Sequence, residues 1–130
     1  NGTELAMGGL SVSLRDYARF ARLYLKEGSY NGEQILTKEW IKDSMDVSAR
    51  YSKPGANNDP DNAIGYGYQW WVPQGDQGEF MAIGVYGQWI YVNPSKQVII
   101  VKVSADPDFM AEGYELKHVE FFRAVADGIS

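Results

Sequence analysis

The residues best suited to contact a ligand through the backbone are Ala82-Ile83-Gly84-Val85-Tyr86-Gly87-Gln88. Two glycines separated by two residues, at the end of an apolar stretch, permit close backbone approach. A strand edge there can offer an unpaired N–H to a ligand oxygen. The same residues also suit a glycine hairpin or bulge that does no chemistry.

Other reactive residue types have plainer readings. His118 is the sole histidine, and the chain has no cysteine. Thiol nucleophiles, disulfides and cysteine zinc sites are excluded, and one histidine cannot furnish a three-ligand catalytic zinc. His118 falls beside Phe121, Phe122 and Val125 at helical spacing and reads as a packed histidine, with no serine or aspartate in a triad pattern. Asn57, Asn58, Asp59, Asp61 and Asn62 carry oxygen donors. Pro60 interrupts them and their spacing is not that of a calcium loop, so a solvated loop is expected. Tyr91-Val92-Asn93 formally matches a Tyr-x-Asn motif but runs along a strand into a turn. Arg15, Arg19, Arg22 and Lys26 make a basic stripe at helical spacing, in a chain with 12 basic and 17 acidic residues and a net charge of −5. A solvated helix face accounts for that stripe, and no nucleic-acid partner is expected. Tyr66, Tyr68 and Trp70 share one side of an expected strand, with Trp89 and Tyr91 nearby. Such a row suits either stacking on a ligand ring or cross-strand packing. No cofactor or metal is implied.

These residues need elements to hold them. The 130 residues suffice for one domain, and 45% hydrophobic with 22% charged residues is an ordinary globular composition. No apolar run is long enough to span a bilayer. No leader-like start is visible, which leaves the compartment open. Ser13, with Asp16 three residues on, reads as the cap of a helix from Leu14 to about Glu27 that stops at Gly28. Asn31-Gly32 signals a turn, and Thr37 caps a short helix to about Met45. Strands follow at 66–72, 80–86, 88–92 and 97–103. Residues 1–46 thus form a helical segment, 47–64 a loop, 65–104 antiparallel strands, and 110–129 carry a C-terminal helix. Its apolar face is Tyr114, Phe121, Phe122, Val125, Ala126 and Ile129; its wet face is Lys117, Glu120, Arg123 and Asp127. The fold class is α+β, with a sheet of three to four strands flanked by the two helical parts.

Val98-Ile99-Ile100-Val101 does not alternate, nor does Met81 to Val85, so these strands read as buried on both faces. A sheet covered on both faces needs two helical layers, and this chain offers few helices. Part of a larger domain is therefore expected to be absent.

In this order along the chain, Gly8-Gly9-Leu10 with Arg15-Asp16, then Gly65-Tyr66-Gly67-Tyr68-Gln69-Trp70-Trp71, then Gly84-Val85-Tyr86-Gly87-Gln88 to Asn93-Pro94 and Val98 to Val101, resemble the β-lactamase-like serine hydrolases. The likeness is to the class C and penicillin-binding-protein-like branch, nearest its esterases and aminohexanoate-dimer hydrolases, and it covers nearly the whole chain. It implies an incomplete β-lactamase/transpeptidase-like domain. The family's Ser-x-x-Lys nucleophile and base, and its second Tyr motif, have no match here. The resemblance therefore implies the C-terminal portion of such an enzyme, inert alone, with a portion carrying Ser-x-x-Lys as its partner. The family's third motif falls on Ala82-Ile83-Gly84 or, in another register, on Val85-Tyr86-Gly87. In the first register the Val85 N–H beside Gly84 is an oxyanion donor. Tyr86, Gly87 and Trp70 would line the pocket for a small ester or amide substrate. Neither register contains a lysine to pair with a β-lactam carboxylate, which favours an esterase or linear-amide hydrolase. Family members are often exported, so an extracytoplasmic location is compatible. The competing reading is a non-catalytic binding or docking module that uses the aromatic strand face.

Overall fold

The computed structural model describes residues 2–3, 8–49, 51–55 and 63–129. Among the described residues three helices, α1 (Leu14–Leu25), α2 (Lys38–Ser44) and α3 (Tyr114–Ile129), accompany seven short strands. Strands β1 (Ser29–Tyr30) and β2 (Glu33–Gln34) form a small hairpin. Strands β3 (Ile64–Tyr66), β4 (Trp71–Pro73), β5 (Phe80–Gly84), β6 (Gln88–Asn93) and β7 (Val98–Lys102) form one antiparallel sheet in that order. The α+β class holds, with five strands in the main sheet.

Local signals explain the helix ends. The Ser13 hydroxyl accepts the Asp16 N–H at 3.3 Å, and Thr37 Oγ1 accepts the Trp40 N–H at 3.1 Å. Each satisfies a donor left orphaned in a first helical turn. After α1 the chain turns through Glu27 and Gly28, both with positive φ, and the Gly28 N–H reaches the Leu23 carbonyl at 2.8 Å. Asn31 and Gly32, at φ 50° and 86°, supply the two left-handed residues of the β1–β2 turn.

The main sheet feeds two cores. Ile90 and Val92 of β6 join Phe80, Trp70 and Ala21 beneath α1. Trp89 and Tyr91 point the other way, to Met81 and to Tyr114, Val119 and Phe122 of α3. Helices thus cover both faces, as the unalternating strands implied. The burial is fullest on β6, however, and not on β7. Ile99, Ile100 and Val101 are only half-buried because β7 is an edge of the sheet.

Three further expectations are corrected. Residues 66–72 are not one strand: Gly67 to Trp70 form a turn between β3 and β4. The Gly67 N–H bonds the Trp70 carbonyl at 2.8 Å, and a β-carbon on Gly67 would lie 2.1 Å from the Ser44 carbonyl oxygen. Only glycine lets this turn seat on the end of α2. Phe121 and Ile129, expected inside, are 56% and 68% exposed, while Val119 is buried in their place. Arg123, expected in solvent, is clamped to buried Glu79. Its Nε donates to both carboxylate oxygens at 2.9 and 3.1 Å, and its Nη2 donates to Oε2 at 2.5 Å. The Tyr91 hydroxyl donates to the same carboxylate, and Asn93 Nδ2 donates to Tyr91 at 3.2 Å.

Two predictions follow from this clamp. Arg123→Met leaves a buried carboxylate without its cation and should cost about 3–5 kcal/mol. In urea melts, the pair Glu79→Met with Arg123→Met should recover much of that loss; a double variant no better than the single would refute the clamp. Burial and the adjacent Glu79 raise the Tyr91 phenol well above its ordinary value. The folded state keeps this proton where the unfolded chain begins to lose it, near pH 10. The resulting stabilisation is complete below that pH and declines as pH rises further. Tyr91→Phe should flatten the fall of stability above about pH 10, measured as Tm against pH.

Candidate functional site

The far end of β5 has the geometry of an acceptor edge. Toward β6, Ala82, Ile83 and Gly84 pair with Ile90, Trp89 and Gln88. Toward β4, β5 pairs only once, Trp71 with Met81, because the turn into Trp70 carries the neighbouring chain away. Ala82 to Gly84 therefore have a free edge among the described residues. Val85 follows, 60% exposed, and its N–H donates to no group among the described residues. Of the two registers, Ala82-Ile83-Gly84 is strand and Val85-Tyr86-Gly87 is the turn that joins β5 to β6.

That turn is unusual in its backbone. Tyr86 sits at φ 61° and Gly87 at φ 77°. A left-handed tyrosine is costly and persists only where surrounding structure holds it. The Tyr86 ring is 55% exposed and meets Phe109 edge-on at 5.2 Å. Gly87 is buried against the Tyr114 hydroxyl, which would lie 2.3 Å from any β-carbon placed there. An open, mostly apolar cavity of about 130 Å³ lies at this corner, lined by Ile83, Gly84, Val85, Gly87, Phe109 and Met110. The structure thus brings Gly84, Val85 and Gly87 to one cavity, with Tyr86 at its rim through Phe109.

Trp70 does not belong there. It is 3% exposed, buried under α1, with its ring 4.7 Å from Tyr24 and 5.0 Å from Phe80. Its pocket role is withdrawn, because the turn after Gly67 folds the indole inward. The aromatic row also dissolves. Tyr66 packs on Trp71, Tyr68 on Trp40, and Trp89 and Tyr91 lie in the α3 core. Among the described residues the row is split: Trp70, Trp89 and Tyr91 are buried, while Tyr66 and Trp71 stay partly exposed as a pair across β3 and β4.

The other candidates resolve as packing or solvent. His118 is half-buried, stacked 5.0 Å from Trp89, with Nδ1 at 2.9 Å from the Tyr114 carbonyl. Tyr91 is fully buried, and its raised phenol is the opposite of what a proton-accepting tyrosine needs. Arg15, Arg19, Arg22 and Lys26 are exposed; Arg19 pairs with Asp16 at 2.5 Å, and Lys26 donates to Gln97 at 2.6 Å. The acidic loop from Asn57 to Asn62 lies outside the described residues. No group of histidine, aspartate or glutamate among the described residues could hold a metal ion. Among the described residues, no helix is long and apolar enough to cross a membrane.

Sequence reasoning passed over the residues behind the turn. Lys102 Nζ donates to the Gly87 carbonyl at 3.1 Å, and the Asp106 N–H donates to the Tyr86 carbonyl at 3.1 Å. The Tyr114 hydroxyl donates to Asp106 Oδ2 at 3.0 Å. Asp106 is held below its usual range by the Asp108 N–H, then by Tyr114; Tyr114 is raised by burial, then by Asp106. The one available signal was a lysine closing the apolar run Val98 to Val101.

Known proteins share this arrangement of chain. The family model described as Beta-lactamase matches residues 2–121. The 6-aminohexanoate-dimer hydrolase of Paenarthrobacter ureafaciens is 29% identical over 110 residues, covering 82% of this chain and 28% of that protein. A solved structure from Bacillus anthracis, described provisionally as a 6-aminohexanoate-dimer hydrolase, superposes with a TM-score of 0.69 at 32% identity. It covers 89% of this chain, which spans 29% of it. The chain thus spans less than a third of the length of these relatives. With its family match running from residue 2 to residue 121, the chain belongs to the Beta-lactamase family of hydrolases.

Proposed function

We propose that this chain is the C-terminal part of a serine hydrolase that cleaves small esters or linear amides through an acyl-enzyme. The observation that carries the reading is the unpaired Val85 N–H at the open end of β5, in a chain matched by the Beta-lactamase model. A serine, supplied with its lysine by the remainder of the enzyme, attacks the substrate carbonyl. Negative charge then gathers on the carbonyl oxygen, and the Val85 N–H donates to it. Gly84 lets the end of β5 sit against β6, since a β-carbon there would crowd Gln88 at 3.0 Å. The free edge of Ala82 to Gly84 gives an extended substrate backbone partners, and Gly87 lines the open cavity beside them, with Tyr86 at its rim against Phe109. No lysine stands in Ala82-Ile83-Gly84 or Val85-Tyr86-Gly87 to pair with a β-lactam carboxylate, and the nearby Lys102 ammonium is engaged by the Gly87 carbonyl. The likeness to a 6-aminohexanoate-dimer hydrolase supports the same choice.

The 130-residue chain alone should neither hydrolyse a p-nitrophenyl ester nor take up a fluorophosphonate label; a labelled serine inside it would sink the reading. Placed with a Ser-x-x-Lys portion in an active hydrolase, Val85→Pro should lower kcat about 10²–10³-fold by removing one oxyanion donor. Val85→Ala keeps the N–H and should lose far less. Equal losses in the two variants, with the fold intact by circular dichroism, would place the donor elsewhere.

A further inference from the structure

We propose that Lys102, Asp106 and Tyr114 are positioning residues that lock the β5–β6 turn from behind and so fix where the Val85 N–H points. The functional half of this inference rests on Val85 as the oxyanion donor; the lock itself rests on geometry.

Two ties hold the turn directly, and a third holds one of them in place. Lys102, at the end of β7, holds the Gly87 carbonyl at 3.1 Å. Asp106, in the segment after β7, holds the Tyr86 carbonyl through its N–H at 3.1 Å. Tyr114, the first residue of α3, fixes the Asp106 side chain at 3.0 Å. Gln88 adds a fourth link, its side-chain amide giving and receiving a hydrogen bond with the Ser104 backbone. The ties fall on consecutive carbonyls, those of Tyr86 and Gly87. Those two residues have left-handed backbones, at φ 61° and 77°.

This coincidence gives the lock its meaning. A non-glycine residue at φ 61° relaxes unless it is held, and the Gly84–Val85 peptide that carries the Val85 N–H leads directly into this turn. The Tyr114 hydroxyl and Lys102 Nζ also fill the space behind Gly87, 2.3 and 3.2 Å from where a β-carbon would sit. The turn has no room to fall back. A donor aimed at a developing oxyanion must be placed before reaction, so the ties serve preorganisation.

The test has two readouts. In the 130-residue chain, Lys102→Met and Tyr114→Phe should speed hydrogen exchange at the Asp106 amide about tenfold or more and shift the Val85 and Tyr86 amide resonances. Protection in α1 and β6 should stay, which separates an unlocked turn from a misfolded chain. Unchanged Asp106 exchange in both variants overturns the lock. In an active hydrolase that carries this segment, both variants should lower kcat about tenfold to a hundredfold and leave KM within about twofold. Lys102→Arg should restore most of the loss, because it can still donate to the Gly87 carbonyl. If kcat is unchanged while Val85→Pro is impaired, the turn is not what positions the donor and the proposal fails. If Val85→Pro is also unimpaired, the oxyanion reading fails, and the exchange data still decide the lock.

Discussion

Everything in this chain is organised by the double burial of β6. Its alternate side chains feed two separate cores, Ile90 and Val92 toward α1, Trp89 and Tyr91 toward α3. A one-residue slip would exchange the two sets and put a tryptophan and a tyrosine into the space built for an isoleucine and a valine. The register with β5 and β7 is therefore fixed by side-chain volume as well as by hydrogen bonds. Fixing β6 against β5 also fixes the turn between them, and with it the end of the strand where Val85 stands.

Helix α3 works as a brace along β5. Arg123, in its second half, grips Glu79, the residue just before β5 begins. Tyr114, its first residue, reaches through Asp106 to the turn just after β5 ends. The two anchors are nine residues apart, about 13 Å along a helix. One rigid rod thus spans the strand whose free edge is the candidate site. That arrangement would serve the proposed oxyanion donor, because a group on a braced strand needs no rearrangement when charge develops. It also explains why a clamp and a lock, both polar, lie at the margins of an apolar core.

Much of the fold was legible from local rules. Ser13, Thr37, Gly28 and Asn31-Gly32 each act through backbone chemistry within a few residues, and each does in the structure what its type implies. The apolar runs gave β5, β6 and β7 for the same reason. The failures were non-local. Residues 66–72 alternate like a strand, but Gly67 lets the chain come close to the Ser44 carbonyl, which accepts the Tyr68 N–H at 3.0 Å, a partner no pattern in that window reveals. That one contact turned Trp70 inward and removed it from the site. Arg123 looked wet because its helical position is wet by periodicity, while its partner Glu79 lies 44 residues away in sequence. Gly84 and Val85 were named as candidates because glycine spacing is a local signal. Lys102, Asp106 and Tyr114 were not, because the turn they hold is assembled from three separate stretches.

The distribution of tryptophan has a practical consequence. Trp70 lies under α1 at 3% exposure and Trp89 under α3 at 1%, while Trp40 is 49% exposed. Each layer of the sheet therefore contains its own intrinsic chromophore. Trp89 is also stacked on the His118 ring, while Trp70 packs among Phe20, Tyr24 and Phe80. The two sides of one sheet are thus spectroscopically distinct without any added dye. Emission from variants that keep one of these indoles and replace the others would report the arrival of each helix separately as the chain folds.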